Sequence, residues 1–222
     1  MNTWNSLPAI LATAGLALGA LPAPAKATTI DYSLNDYVGS GTPPFSGPYG
    51  TVALTSSGGN VDVTLTLASG VGLVTTGAGL SLTWDLTGDP TITVSGLPSG
   101  FSLVNNVSAS GSGSWDYGLS CSTSTCGQGG QHPYTTPVSF TIDNVALTDF
   151  TANGNGHYFS SDVCVGVIGG TCSDEGVTGV ITGGPATVTP PPSVPEPASS
   201  AGLMVLALGL LGATRFLGHA RR

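Results

Sequence analysis

Positive charge is almost missing from this chain. Its 222 residues hold 4 Lys and Arg against 12 Asp and Glu, a formal net charge of -8. The basic residues are Lys26, Arg215, Arg221 and Arg222, so no cation stands between residues 28 and 214. A stretch without cations cannot neutralise phosphates, which excludes nucleic acid as its partner. Attachment of that stretch to an anionic membrane through basic residues is excluded for the same reason. Ion pairs are unavailable to its fold, which must rest on burial, backbone hydrogen bonds and disulfides. Helical patterning is missing too, because nothing before Ala198 keeps an apolar 3.6-residue period over three turns. No period of about 20–50 residues appears, which excludes a solenoid or propeller. Only 7% of residues are charged while 40% are hydrophobic, the opposite of a disordered composition.

Short alternating runs and turn residues fill the middle of the chain. Gly accounts for 34 residues, and Ser and Thr are abundant. Val61, Val63, Leu65 and Leu67 alternate with Asp62, Thr64 and Thr66, the period-2 pattern of a half-buried strand. Leu80, Leu82, Trp84 and Leu86 form a second such face, with Ser81, Thr83 and Asp85 expected outward. Further strands are expected at Val52 and Leu54, at Thr91 to Val94, around Val138, Phe140 and Ile142, along Val163, Val165 and Val167, and across residues 176–188. Residues 101–108 and 115–119 are weaker strand signals, and residues 28–48 read as an irregular lead-in with one short strand at most. About nine or ten short strands at this spacing predict an all-β fold, an antiparallel β-sandwich of jelly-roll type.

Cys121, Cys126, Cys164 and Cys172 are an even set, which an oxidising compartment turns into two disulfides. Three connectivities are open. Cys121–Cys126 and Cys164–Cys172 are favoured because each closes a short loop rich in Ser, Thr and Gly. A four-cysteine zinc site is the rival, but the spacing lacks a tight CxxC pair.

Catalytic chemistry leaves little trace. A nucleophile triad needs a base, and His132 and His157 both sit in Gly-rich loops, with no Gly-x-Ser-x-Gly elbow near them. A glycosidase needs two facing carboxyl groups. Asp85, Asp89, Asp116, Asp143, Asp149 and Asp162 are available but read as outward strand residues or turn formers. No catalytic residue and no metal ligand is assigned. Calcium is the one cofactor the composition admits, through Ser173-Asp174-Glu175-Gly176 or Asn153-Gly154-Asn155-Gly156, although neither matches the Asp-x-Asp-x-Asp-Gly loop. Tyr117, Tyr134 and Tyr158 are candidates for stacking on sugars, by analogy with other sandwiches.

The two ends describe a route. Residues 1–27 form a secretory signal: an apolar run from Leu7 to Leu21, then Ala25-Lys26-Ala27, a small-x-small cleavage site with Ala25 and Ala27 as its determinants. The expected exported domain spans residues 28–186, about 160 residues, enough for one core. A Pro-rich linker, residues 187–194, carries Pro190, Pro191 and Pro192 and is expected to be extended. Residues 195–222 form a tail whose apolar segment, 198–217, is long enough as a helix to cross a bilayer. Arg215, Arg221 and Arg222 stop that segment on the cytoplasmic side.

Val194-Pro195-Glu196-Pro197, followed by a Leu/Gly/Ala-rich span and terminal arginines, resembles the PEP-CTERM sorting signal. Gly47-Pro48-Tyr49-Gly50-Thr51-Val52, Asn60-Val61-Asp62-Val63-Thr64 and Asp149-Phe150-Thr151-Ala152-Asn153 resemble segments of other PEP-CTERM proteins. The resemblance implies exosortase as the processing partner, with cleavage near Pro195-Glu196-Pro197, after Sec-type export and signal peptidase. It implies only transient contact with the inner membrane, then the cell surface or the extracellular matrix, in cells that make exopolysaccharide. The expected function is that of a non-enzymatic structural or adhesive protein of exopolysaccharide or biofilm. A sugar- or calcium-binding module is the alternative, and a secreted hydrolase comes last.

Overall fold

The computed structural model describes residues 27–76 and 79–189. The chain there builds thirteen strands: β1 (Thr29–Val38), β2 (Gly50–Ser57), β3 (Asn60–Leu67), β4 (Val71–Leu73), β5 (Leu80–Leu86), β6 (Thr93–Ser95), β7 (Phe101–Ala109), β8 (Gly113–Cys121), β9 (Val138–Asp143), β10 (Phe150–Thr151), β11 (Phe159–Ile168), β12 (Thr171–Gly183) and β13 (Thr187–Thr189). The ladders between strands are all antiparallel, and the hydrogen-bonded order is β6-β9-β3-β2-β1-β12-β11-β5-β8-β7. β13 pairs with β1, β4 with β11 and β10 with β5.

This long sheet folds back on itself. Trp84 of β5 meets Phe140 of β9 with ring centroids 5.7 Å apart, although the two strands lie far apart in the sheet order. The alternation explains why. Val52 and Leu54, then Val61, Val63 and Leu65, are buried while their neighbours are not, so one face must find a partner. That partner is the apolar face of β5, β8, β11 and β12, through Leu82, Trp84, Leu119, Val163 and Ile181.

Three expectations are corrected. The lead-in contains the ten-residue β1, which pairs with both β2 and β12. Tyr32 and Leu34 face the core, and the turn-forming residues Asn35 and Asp36 are taken up by an irregularity between Leu34 and Asp36. The weaker strand signals at residues 101–108 and 115–119 are borne out, and the two strands pair as the long hairpin β7–β8. Thr187–Thr189, assigned to the linker although the strand signal runs to Val188, form β13 on β1, so the sheet continues past residue 186. Ser81 and Thr83, expected to meet solvent, are fully buried.

The signal segment before residue 27, the Pro-rich stretch from residue 190 and the sorting tail lie outside the described residues. Among the described residues no helix is long and apolar enough to cross a membrane. The expected span at 198–217 lies beyond them.

Candidate functional site

The buried back of β5 leads to the site. Strand alternation sends Leu82 and Trp84 into the main core and Thr83 to the other side. That other side is roofed. The β7–β8 turn folds over it, and Leu80, Ala109 and Trp115 form a small second cluster there. Ladder register aligns the polar residues beneath. Thr83, Ser160 and Thr182 stand directly opposite one another across β5, β11 and β12. One step along, Asp162 of β11 stands opposite Val180 of β12, which stands opposite Val38 of β1.

Hydrogen bonds hold this interior together. The hydroxyls of Thr83 and Ser160 lie 2.6 Å apart, and Ser112 Oγ lies 3.1 Å from Ser160 Oγ. Trp115 Nε1 donates to Ser112 Oγ at 3.2 Å. Asn153 Nδ2 and Asn155 Nδ2 donate to the Ser112 carbonyl at 2.8 and 3.1 Å. Asn153 Oδ1 in turn accepts the backbone N–H groups of Asn155 and His157. The 153–157 loop, a calcium candidate by composition, therefore uses its Asn153 oxygen to fix its own turn. Among the described residues no group of three or more His, Cys, Asp or Glu is placed to hold a metal ion. Thr182 Oγ1 and Ser81 Oγ are buried with no hydrogen-bond partner.

Asp162 is the residue that stands out. Its side chain is 5% exposed, where the sequence pattern placed it outward. Thr76 N donates to Oδ2 at 3.0 Å and Thr76 Oγ1 to Oδ1 at 2.6 Å. Burial pushes its pKa up to about 6, and the hydrogen bonds from Thr76 and from the Gly79 backbone only partly oppose this. The carboxylate lines a cavity of about 430 Å³, between the β7–β8 turn, the Val38-Gly39-Ser40 end of β1 and Thr178-Gly179-Val180 of β12. Tyr37, next to the lining residue Val38, donates its hydroxyl to the Thr178 carbonyl at 2.8 Å. Gly179 leaves room for that ring, since a Cβ would meet Tyr37 Oη at 2.7 Å and force it to shift. Gly111 has φ +83, and a Cβ on it would meet Val38 Cγ1 at 2.5 Å.

The other acids lie apart from this cavity. Asp85 and Asp116 are half-buried at the far end of β5 and β8, where Asp85 Oδ1 accepts the Asp116 N–H at 2.7 Å. Desolvation, then repulsion from Asp89, raises the pKa of Asp116; desolvation is also the first cause of the rise at Asp85, with repulsion from Asp116 and Asp89 adding to it. Tyr117 donates its hydroxyl to Asp89 Oδ1 at 2.9 Å. His132 and His157 sit in separate loops, as expected.

The cysteines pair as favoured. Cys121–Cys126 and Cys164–Cys172 are disulfides with Cα separations of 6.0 and 5.9 Å. The first staples the end of β8 to the short helical turn Thr123–Cys126, and the second ties β11 to β12 beyond Asp162. Of the tyrosines proposed for sugar stacking, Tyr117 faces inward, while Tyr134 and Tyr158 are half-buried against the core. Tyr117 is buried and stacked on Trp84, Tyr134 sets an edge against Phe101, and Tyr158 tilts against Tyr32. Ala27 is exposed at the start of the described chain. Val194, Pro195, Glu196, Pro197, Ala25, Arg215, Arg221 and Arg222 lie outside it.

Sequence comparison bears on that tail. A family model described as the PEP-CTERM protein-sorting motif matches residues 193–222. The chain carries a PEP-CTERM sorting motif. It marks the protein as one that is exported and sorted to the cell envelope surface, with exosortase as the implied processing partner. No curated protein and no solved structure matches the chain. The PEP-CTERM match covers the tail alone, so what the β-domain does must be argued from its own residues.

Proposed function

We propose that the mature protein is a non-enzymatic structural or adhesive component of the cell surface or extracellular matrix, working among exopolysaccharide in a biofilm. A signal peptide ending at Ala27 starts its export, and exosortase cuts near Pro195-Glu196-Pro197. The apolar segment at 198–217 then spans the inner membrane only as an intermediate. We read the folded-back sheet as a variant of the jelly-roll sandwich. The observation that carries this reading is the pairing of a C-terminal sorting motif with a cation-free β-domain held by two disulfides. Such a domain suits a place outside the cell, where thiols are oxidised.

The test is intact-mass measurement of the protein from exosortase-containing cells. The expected wild-type mass starts at Thr28 and lacks the residues after the Pro195-Glu196-Pro197 motif. The variant Glu196→Ala should keep the tail and stay in the inner membrane. A wild-type surface protein that retains Arg222 would overturn the processing route. A catalytic turnover traced to the purified domain would overturn the non-enzymatic reading.

A further inference from the structure

We propose that the cavity over Asp162 binds a small ligand bearing a primary ammonium group, about the size of an amino sugar, with the ammonium on the Asp162 carboxylate. This goes beyond the delivery route and stands whether or not that route is correct.

Charge carries the argument. Asp162 is 5% exposed, and the donors that reach it, Thr76 N, Thr76 Oγ1 and the Gly79 N–H, are all neutral. Its charge has no Lys or Arg counter-ion among the described residues, since none exists between residues 28 and 214. An ionised carboxylate has about four acceptor positions, and the donors among the described residues fill at most three of them. Holding such a charge away from water is costly unless a cation joins it. The cavity supplies the place for that cation to enter. Its volume, about 430 Å³, falls within the range of small-molecule sites, roughly 300–1,000 Å³. Ser40, Ser110 and Thr178 line it with hydroxyl-bearing residues, while Val38, Leu80 and Val180 offer apolar surface. That mixture suits a ring carrying both hydroxyl and C–H groups. The titratable group that senses Asp162 is Tyr37, whose pKa is raised by burial, then by Tyr49, then by Asp162.

The test titrates the full-length protein in mild detergent with glucosamine, N-acetylglucosamine and glucose, read by calorimetry and by chemical shifts of Asp162 and Val180. Glucosamine should bind, and the two uncharged sugars should bind about tenfold more weakly or worse, the scale of a lost charge-assisted hydrogen bond. Lowering the pH from 7.5 to 5 should weaken glucosamine binding as Asp162 takes up its proton. Asp162→Asn should abolish the preference for the amine. Ser110→Trp, at an exposed turn position that leaves Asp162 untouched, should block the mouth and guards against a folding defect in Asp162→Asn. A glucosamine oligomer that binds more tightly than the monomer points to a polymer as the source of the amine, and equal binding points to a free amine. Either result supports the site. Equal binding of all three sugars, no binding of glucosamine, or undiminished binding in both variants would overturn it.

Discussion

The two faces of β5 and β11 solve the problem of burial differently. On one face, Leu82, Trp84, Phe159, Val163 and Val165 join a core that runs through most of the sheet. Trp84 lies between Tyr117 and Phe140, with centroids 5.9 and 5.7 Å away. On the other face only Leu80, Ala109 and Trp115 cluster, and the remaining space holds Thr83, Ser112, Ser160, Asp162 and Thr182. The first face is stabilised by area removed from water, which is non-directional and tolerant of small changes. The second rests on hydrogen bonds that hold only if every partner is in place. A large core suits a domain that must last outside the cell. A small polar interior with a cavity suits selection of a ligand.

The largest expected effect breaks the first face. Trp84→Ala removes a fully buried ring and its contacts with Tyr117 and Phe140, a loss of about 3–5 kcal/mol measured by denaturant unfolding. Trp115→Ala should cost less, since its cluster is small, even though the Ser112 hydrogen bond goes with it. A greater loss at Trp115 would mean that the second interior, not the first, anchors the domain.

The next effect lies in pH and belongs to the second face alone. Asp162 has a pKa near 6 in the folded protein against the ordinary 3.8. Its folded-state pKa is raised, so the folded state binds the proton more tightly than the unfolded chain. The stability this brings is fully present below pH 3.8 and is lost as the pH rises through about 6. Wild-type protein should therefore gain stability from pH 7 to pH 4, by up to about 3 kcal/mol from this residue. Asp162→Asn should flatten that part of the curve, and melting temperatures of the two proteins across the range would show it. Asp85 and Asp116 are shifted the same way, so a residual slope in the variant is expected. Parallel curves for the two proteins would mean that Asp162 is better solvated than its burial implies.

How much of this was legible beforehand follows the same division. Val61, Val63 and Leu65 announce β3 because alternation reports burial of a single face directly. The disulfide pairs were legible because short loops bring their cysteines together. β1 was hidden because Asp31, Asn35 and the prolines beyond it carry turn signals, while its pairing with β12 spans most of the chain. A period of two says which residues share a face, not what covers that face, so Ser81, Thr83 and Asp162 look outward in the sequence and are buried in the fold. The cover comes from Ser112 and Trp115, brought over β11 by the hairpin turn. Local pattern holds no record of that return. The inward turn of Tyr117 leaves no local trace for the same reason, since its partner Trp84 lies on another strand.

The smallest expected effect gives the finest test of the contrast. Thr182 Oγ1 is fully buried and has no partner, although Ser160 stands opposite it in the ladder. In an interior that depends on satisfied hydrogen bonds, such a hydroxyl carries a desolvation cost with nothing in return. Thr182→Val keeps the shape and removes that cost, so the variant should match or exceed wild type by up to about 1 kcal/mol. Ser160→Ala should lose stability instead, because the Thr83 and Ser112 hydroxyls are left facing it. Opposite signs for these two neighbours would place the useful hydrogen bonds between β5, β11 and the β7–β8 turn. A loss at Thr182 as large as that at Ser160 would mean that Thr182 has a partner in solution and that the polar row continues to the cavity wall at Val180.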